Sequence, residues 1–87
     1  MSKYNLKEFV RRLRYMPRVE LSRLCKESGM NDREIYAVVS YIYDELSIRE
    51  IASTLNISIG QFHYRKNLVA IRLMNYLRLI NYPKLDL

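Results

Sequence analysis

The side chains best suited to chemistry lie together in one stretch, SIGQFHYRK, which runs from Ser58 to Lys66. It offers the hydrogen-bond donors of Gln, His, Tyr, Arg and Lys and contains no acidic residue. Amide, imidazole, phenol and guanidinium groups can donate to base edges in a major groove, and Arg reading guanine with two hydrogen bonds is the commonest specific contact. Hydroxyl and ammonium groups suit phosphate oxygens. The stretch therefore has the chemistry of a nucleic-acid-binding surface.

The charge of the chain also favours an acidic partner. The 87 residues carry 15 Lys/Arg and 9 Asp/Glu, a net charge of +6, which points to nucleic acid first. Residues 1–29 hold eight basic and three acidic residues, a net of +5, whereas residues 30–80 hold six and five, a net of +1. No Asp or Glu occurs between Ile51 and Leu85. Positive charge is concentrated in the N-terminal third, and the C-terminal half offers a second, acid-free surface.

Apolar spacing predicts an all-α, five-helix domain. The first helix runs from about Leu6 to Tyr15 and ends before Pro17, and the second ends at Gly29. The third carries apolar positions as far as Leu46. The fourth is short, residues 48–55, and the fifth is long, residues 59–80, and ends before Pro83. Capping boxes, in which Glu follows Asn or Ser by three residues, start helices one, three and four: Asn5 with Glu8, Asn31 with Glu34, and Ser47 with Glu50.

Helices four and five have the pattern of a helix-turn-helix. Two helices joined by so short a turn cross closely, so the first needs a small residue at the crossing, and Ala52 is that residue. Asn56 stands at the turn position most often given to Gly, and Asn also tolerates positive φ. Core positions flank the turn on both sides: Ile51, Leu55, Ile57 and Phe62. In such units the start of the second helix enters the major groove, so we expect the long C-terminal helix to be the reading helix, beginning near Ile59.

The segment DREIYAVVSYIYDELSIREIASTLNISIGQFHYRKNLVAIRL resembles region four of bacterial sigma factors and, more distantly, effector domains of the LuxR and FixJ class. The resemblance covers about residues 30–73. Where the family usually has Gly, Val and Leu, this chain has Asn56, Phe62 and Lys66. The residues that carry it are Arg33, Glu34, Leu46, Ser47, Glu50, Ile51, Ala52, Leu55, Ile57, Ser58, Gly60 and Arg65.

The resemblance implies recognition of a promoter element. The family's groove-facing positions are occupied here by Ser58, Gln61, His63, Tyr64 and Arg65. From the side-chain chemistry alone, Arg49, Ser58 and Lys66 suit phosphates, Ser58 with help from the helix N-terminus. The alternative is that these polar residues form an ordinary solvated helix face. Nothing in the sequence resembles the sigma-factor region that melts DNA, so we expect a phage, plasmid or bacterial regulator rather than a complete sigma factor.

The rest of the chain is predicted to support this unit within a single domain, residues 1–87. Residues 1–29 form a basic helical extension and residues 74–87 the end of the long helix and a tail. The extension is either a solvated face or a second contact to phosphates or an acidic protein; its basic residues are Lys3, Lys7, Arg11, Arg12, Arg14 and Arg18. The pattern of helices four and five also occurs 27 residues earlier, around Cys25 and Gly29. Acidic residues in the following helix favour packing there over a second DNA-reading unit.

Apolar residues on the last helix sweep a wider arc than one core contact needs, which predicts packing against helix one or a homodimer through this C-terminal helix. The same arc supports an alternative function, a protein-interaction module that engages RNA polymerase or another regulator through a sigma-like shape. A nuclease-treated pull-down would distinguish it from DNA binding.

Catalysis, metals and cofactors have little support in the sequence. His63 has no acidic neighbour, Cys25 lies on an apolar helix face, and no Gly-rich phosphate loop or zinc-ligand spacing occurs. We therefore expect no enzyme activity, no cofactor and no metal. A single Cys and the lack of a signal peptide or membrane-spanning run predict a cytoplasmic protein with no membrane partner.

Overall fold

The computed structural model describes residues 6–43 and 45–83, and these form an all-α arrangement of five helices without strands. The helices are α1 (Leu6–Leu13), α2 (Arg18–Glu27), α3 (Asp32–Ile42), α4 (Ile48–Leu55) and α5 (Ile59–Leu79). The predicted all-α class is confirmed. Lys3 and Asn5, to which a basic and a capping role were assigned, lie outside the described residues, as does Asp44.

The ends of α2 and α5 differ from the sequence expectation by one or two residues, at Glu27 and Leu79, and those of α1 and α3 differ for physical reasons. α1 ends at Leu13 rather than Tyr15, because the N–H groups of Tyr15 and Met16 donate to carbonyls three residues back, which tightens the last turn ahead of Pro17. α3 ends at Ile42, so Leu46 does not belong to it. Leu46 instead lies in the segment before α4 and packs, half-buried, against the residues that hold α4 and α5 together.

α3 is the central helix and packs against each of the other four. Its inner face joins α1, α2 and the second half of α5 in the main hydrophobic core, which includes Phe9, Leu21, Leu24, Val39 and Leu73. A smaller core lies on the other side of α3, where α4 meets the start of α5. Tyr41 contacts both cores, so α3 links the α4–α5 unit to the larger half of the molecule.

α1 lies against α3 and α5, which answers part of the question raised by the wide apolar arc of the last helix. Val69, Ala70, Leu73 and Leu77 of α5 are buried. Other apolar side chains of this helix stay exposed after α1 has packed, including Leu68 at 48%, Ile71 at 42% and Leu79 at 82%. These three lie outside the arc, whose members are buried or half-buried apart from Ile80, so the packing of α1 and the rest of the fold covers most of the arc.

Candidate nucleic-acid interface

The crossing of α4 and α5 is built around one small side chain. Ala52 is 3% exposed and packs in the smaller core with Ile51, Leu55 and Phe62, all buried. A methyl group at this position lets the backbones of the two helices approach, and Phe62 then anchors the first turns of α5. The expected steric role of Ala52 and Phe62 agrees with this packing.

The turn between the two helices has a defined hydrogen-bond pattern. Asn56 is left-handed, with φ 59° and ψ 46°. Its N–H donates to the Ser53 carbonyl (3.1 Å), and the N–H of Ile57 donates to the Ala52 carbonyl (3.0 Å). These bonds satisfy carbonyls that the end of α4 would otherwise leave unpaired. The direction in which α5 leaves α4 is thus set by backbone geometry, as expected from Asn in place of Gly.

A capping box fixes the start of α5. The hydroxyl oxygen of Ser58 accepts from the Gln61 N–H (3.0 Å), and Oε1 of Gln61 accepts from the Ser58 N–H (2.8 Å). Both side chains are held by these bonds, yet the Ser58 O–H and the two N–H donors of the Gln61 amide keep their donor capacity. Because the capping bond already occupies one of the two lone pairs of Oε1, the N–H groups of the Gln61 amide are its main means of contact. Guanine N7 and O6, thymine O4 and phosphate oxygens are the acceptors it can serve.

The structure leaves six of the seven predicted contact residues exposed. They are Arg49 on α4, Ser58 at the cap, and Gln61, His63, Tyr64 and Arg65 on the first two turns of α5. The polar leading edge of α5 thus faces solvent rather than the interior. Among them is one large aromatic side chain with a polar end, Tyr64, which is 67% exposed. His63 lies edge-on to Phe62, with ring centroids 5.7 Å apart, so its ring rests against the residue that anchors the helix.

Lys66 does not share this orientation. It is half-buried, and its ammonium nitrogen lies 4.6 Å from the centre of the Tyr41 ring, a cation–π arrangement. Tyr41 also meets Phe62 edge-on at 5.8 Å. Lys66 therefore faces α3 in this structure, and the phosphate contact predicted for it would require the ammonium to leave the ring.

Two residues that sequence reasoning did not assign to the site support it. Arg33 of α3 donates through Nη2 to the Leu55 carbonyl (2.6 Å) at the end of α4, immediately before the turn. Tyr41 of α3 holds Lys66 and contacts Phe62. Both act across more than 20 positions of sequence, so no local pattern marks them. Only the placement of α3 beneath the turn brings them to the site.

The earlier copy of the pattern forms the same kind of turn, but the helix that follows it is not exposed as the start of α5 is. Gly29 has φ 102°, and the Met30 N–H donates to the Cys25 carbonyl (3.1 Å), as Ile57 does to Ala52. The helix that follows is α3, whose Val38, Val39, Ser40 and Ile42 are buried. Its position in the centre of the fold agrees with the packing interpretation.

The basic N-terminal segment is largely engaged within the chain. Arg11 and Arg12 pair with Glu8, and these hydrogen bonds lower the pKa of the Glu8 carboxyl. Arg14 donates through Nε to the Ile42 carbonyl (3.1 Å), and Arg18 pairs with Glu45 (2.6 Å). The pairs with Glu8 therefore stabilise α1, and the Arg18–Glu45 pair stabilises the start of α2. This favours a structural role for much of the positive charge in this segment.

Residues 6–43 and 45–83 contain no group of three His, Cys, Asp or Glu side chains that could hold a metal ion. In the same part of the chain no helix combines the length and apolarity needed to cross a bilayer. Cys25 is buried, and this burial raises the pKa of its thiol to about 12, which makes it a poor nucleophile.

Comparison with known proteins gave no match to a family model, to a curated protein or to a solved structure. A functional assignment therefore depends on the residues and their geometry.

Proposed function

We propose that this protein is a sequence-specific double-stranded DNA-binding regulator of transcription, a cytoplasmic binding protein rather than an enzyme, and that α4 and α5 act as a helix-turn-helix. The observation that carries the proposal is the leading half of α5. It presents Gln61, His63, Tyr64 and Arg65 to solvent, and its direction relative to α4 is fixed by the Asn56 turn. From Ile51 onward, the described part of the chain contains no acidic residue.

Each residue has a role that follows from its chemistry and position. Arg65 and Gln61 are the donors to base edges, with His63 and Tyr64 beside them. Arg49 near the start of α4 and Ser58 at the start of α5 contact phosphates, and the N-terminus of α5 adds the partial positive charge of its dipole. Lys66 joins them only if it exchanges the Tyr41 ring for a phosphate. The resemblance to sigma region four suggests promoter DNA as the target.

The test is selection of a binding site from random duplex DNA, followed by affinity measurements across salt concentrations. We expect one enriched motif and an affinity whose logarithm falls steeply with the logarithm of salt. Arg65→Ala should weaken binding by about 1–3 kcal/mol and relax the preference at one base pair. Arg49→Ala should weaken binding to all sequences and reduce the salt slope by about 1. Lys26→Ala is the matched control, because it removes an exposed charge from α2. No enriched motif, or equal losses for Lys26 and Arg49, would refute the proposal.

A homodimer through α5 belongs to the same proposal. Leu68 and Ile71 lie on the exposed side of this helix and are 48% and 42% exposed. Two-fold symmetric readers bind half-sites about 34–36 Å apart, so the selected motif should be a palindrome of that spacing. Sedimentation of the wild type and of Leu68→Glu measures the assembly directly. A wild type that stays monomeric at high concentration would remove this part of the proposal.

The exposed apolar side chains of α5 also favour the second candidate function, a protein-interaction module that engages RNA polymerase. In that case Leu68→Glu and Ile71→Glu should abolish capture of polymerase by the nuclease-treated protein, whereas Arg65→Ala should not. Polymerase retained without DNA, together with no enriched duplex motif, would favour this function over DNA reading.

A further inference from the structure

A second surface lies beside the reading helix, between α1 and α5. It is an open groove with a volume of about 590 Å³, bordered by α1, the end of α3 and the middle of α5. Volumes of this size are typical of binding clefts rather than of packing gaps. The groove shares Lys66 with the proposed DNA contacts but includes none of the six exposed ones, and it includes α1, which lies outside the α4–α5 unit.

The lining of the groove combines positive charge with apolar surface. Four basic side chains line it: Lys7 and Arg11 on α1, Arg14 just after it, and Lys66 on α5. None of the described residues that line it is acidic. The nearest acid in sequence, Glu8, is engaged by Arg11 and Arg12.

Besides the buried Ile42, the apolar part of the lining comes from three side chains: Leu6 and Val10 of α1 and Tyr41 of α3. Each of these side chains packs against the main core with one side and stays partly exposed on the other. An occupant that covers the groove must therefore bring apolar groups as well as negative charge.

We infer that this groove, formed by Lys7, Arg11, Arg14 and Lys66 around Leu6, Val10 and Tyr41, binds an acidic amphipathic helix of a partner protein. Such a helix lays its apolar residues, spaced i, i+3, i+4 and i+7, into a groove and keeps its charged residues at the rim. Its carboxylates would form charge-assisted hydrogen bonds with Lys7 and would add to the contacts that Arg11, Arg14 and Lys66 already make within the chain.

Charge and shape argue against the other occupants. A DNA duplex is convex and polar, so it could reach the rim cations but would leave Leu6, Val10 and Tyr41 uncovered. A small anion would leave them uncovered as well. Residues 1–5, which directly precede Leu6 in the chain, contain Lys3 and no acid, so their charge does not complement the groove.

The test uses the full chain and two labelled helical peptides of about 16 residues, long enough to form a helix on binding. One has Leu at the spacing above and Glu or Asp elsewhere; the other replaces each acid by Gln or Asn. Fluorescence anisotropy should show binding of the acidic peptide and at least about tenfold weaker binding of the neutral one, since several exposed charged contacts are lost together and each contributes up to about fivefold in affinity.

Protein variants assign the binding to the groove. Lys7→Glu with Asn67→Glu changes two exposed lining residues and should weaken acidic-peptide binding by about tenfold or more, whereas Lys26→Glu on α2 repeats only the Lys-to-Glu reversal, outside the groove, and should have little effect. Thermal unfolding of each variant establishes that it is folded.

Three outcomes would overturn the inference: neither peptide binds, both bind equally, or Lys26→Glu weakens binding as much as the double variant does. A double variant that loses duplex DNA but binds the acidic peptide normally would also overturn it, because the groove would then belong to the DNA interface. Peptide binding by a wild type that selects no duplex motif would support the groove and count against the proposed DNA-reading function.

Discussion

The turn at Asn56 decides where α5 points, so replacing Asn56 is the sharpest test of the geometry. Its left-handed backbone, φ 59° and ψ 46°, costs an ordinary side chain about 1–2 kcal/mol, a cost that Asn reduces by local hydrogen bonding and that Gly does not have. Asn56→Ala should therefore lower the free energy of unfolding by about 1 kcal/mol. For a domain of this size that corresponds to a fall in the midpoint of thermal unfolding of roughly 4–8 °C.

Two further turn variants and one control separate backbone strain from lost contacts. Asn56→Gly should change stability by less than about 0.5 kcal/mol, because the conformation suits Gly while the unfolded chain gains freedom. Gly29→Ala should be destabilising in the same way: φ is 102°, and no atom lies within 4 Å of the position that its Cβ would take, so a clash adds nothing. Asn75→Ala, on the exposed side of α5, should be neutral or stabilising because Ala favours a helix interior.

Circular dichroism during heating and urea titration of the four variants give these differences directly. If Asn56→Ala unfolds at the wild-type temperature while Gly29→Ala is destabilised, Asn56 does not hold a left-handed backbone in solution. The argument that this turn directs α5 would then fail. DNA binding by Asn56→Gly at wild-type affinity would be the matching functional result, because Gly preserves the turn.

Three other predictions follow from single contacts. Because burial raises the pKa of the Cys25 thiol to about 12, iodoacetamide should modify it only as fast as the protein unfolds, and rapid labelling of the native protein would contradict its burial. Hydrogen bonds from the backbone N–H and side chain of Ser47 lower the pKa of Glu50. The stability that the Glu50 carboxylate contributes is complete above the pKa of the unfolded chain, near 4.3, and is lost as pH falls through the lower pKa of the folded protein. Below about pH 4.5 the melting temperature of Glu50→Gln should therefore fall less with decreasing pH than that of the wild type. Arg33→Ala, which removes the donor to the Leu55 carbonyl, should lower the free energy of unfolding by about 1 kcal/mol, measured by urea titration, and no change would show that the bond contributes nothing.

Sequence could predict the helices because their start and stop signals are local. Each of these signals depends on residues within four positions of one another. They include the capping boxes at Asn31 and Ser47, the left-handed residues Gly29 and Asn56, and the bounds of α4. Leu46 was wrongly joined to α3, because an apolar residue at helical spacing looks the same whether it continues a helix or packs from a loop.

The supporting part of the site could not be predicted in this way. Arg33 reaches the end of α4, and Tyr41 turns Lys66 inward, only because α3 passes beneath the turn. Periodicity assigns Lys66 to a helix face, but it does not determine where the ammonium group lies. Whether that group contacts an aromatic ring or solvent depends on tertiary packing. Similarly, the basic count of residues 1–29 did not reveal that Arg18 is paired with Glu45.

If both proposals hold, the two surfaces on α5 should not bind independently. His63 of the reading edge and Asn67 of the groove are one helical turn apart, about 6 Å along the axis, which is less than the Debye length of about 10 Å at 0.1 M salt. A duplex and an acidic helix would each bring negative charge to this region, so each should weaken binding of the other. Linkage requires the same factor in both directions. Measuring peptide affinity with and without duplex, and duplex affinity with and without peptide, gives both factors. If neither ligand changes the affinity for the other, the two surfaces are electrostatically separate. If each ligand weakens binding of the other by the same factor, and that factor decreases with added salt, α5 couples the two surfaces.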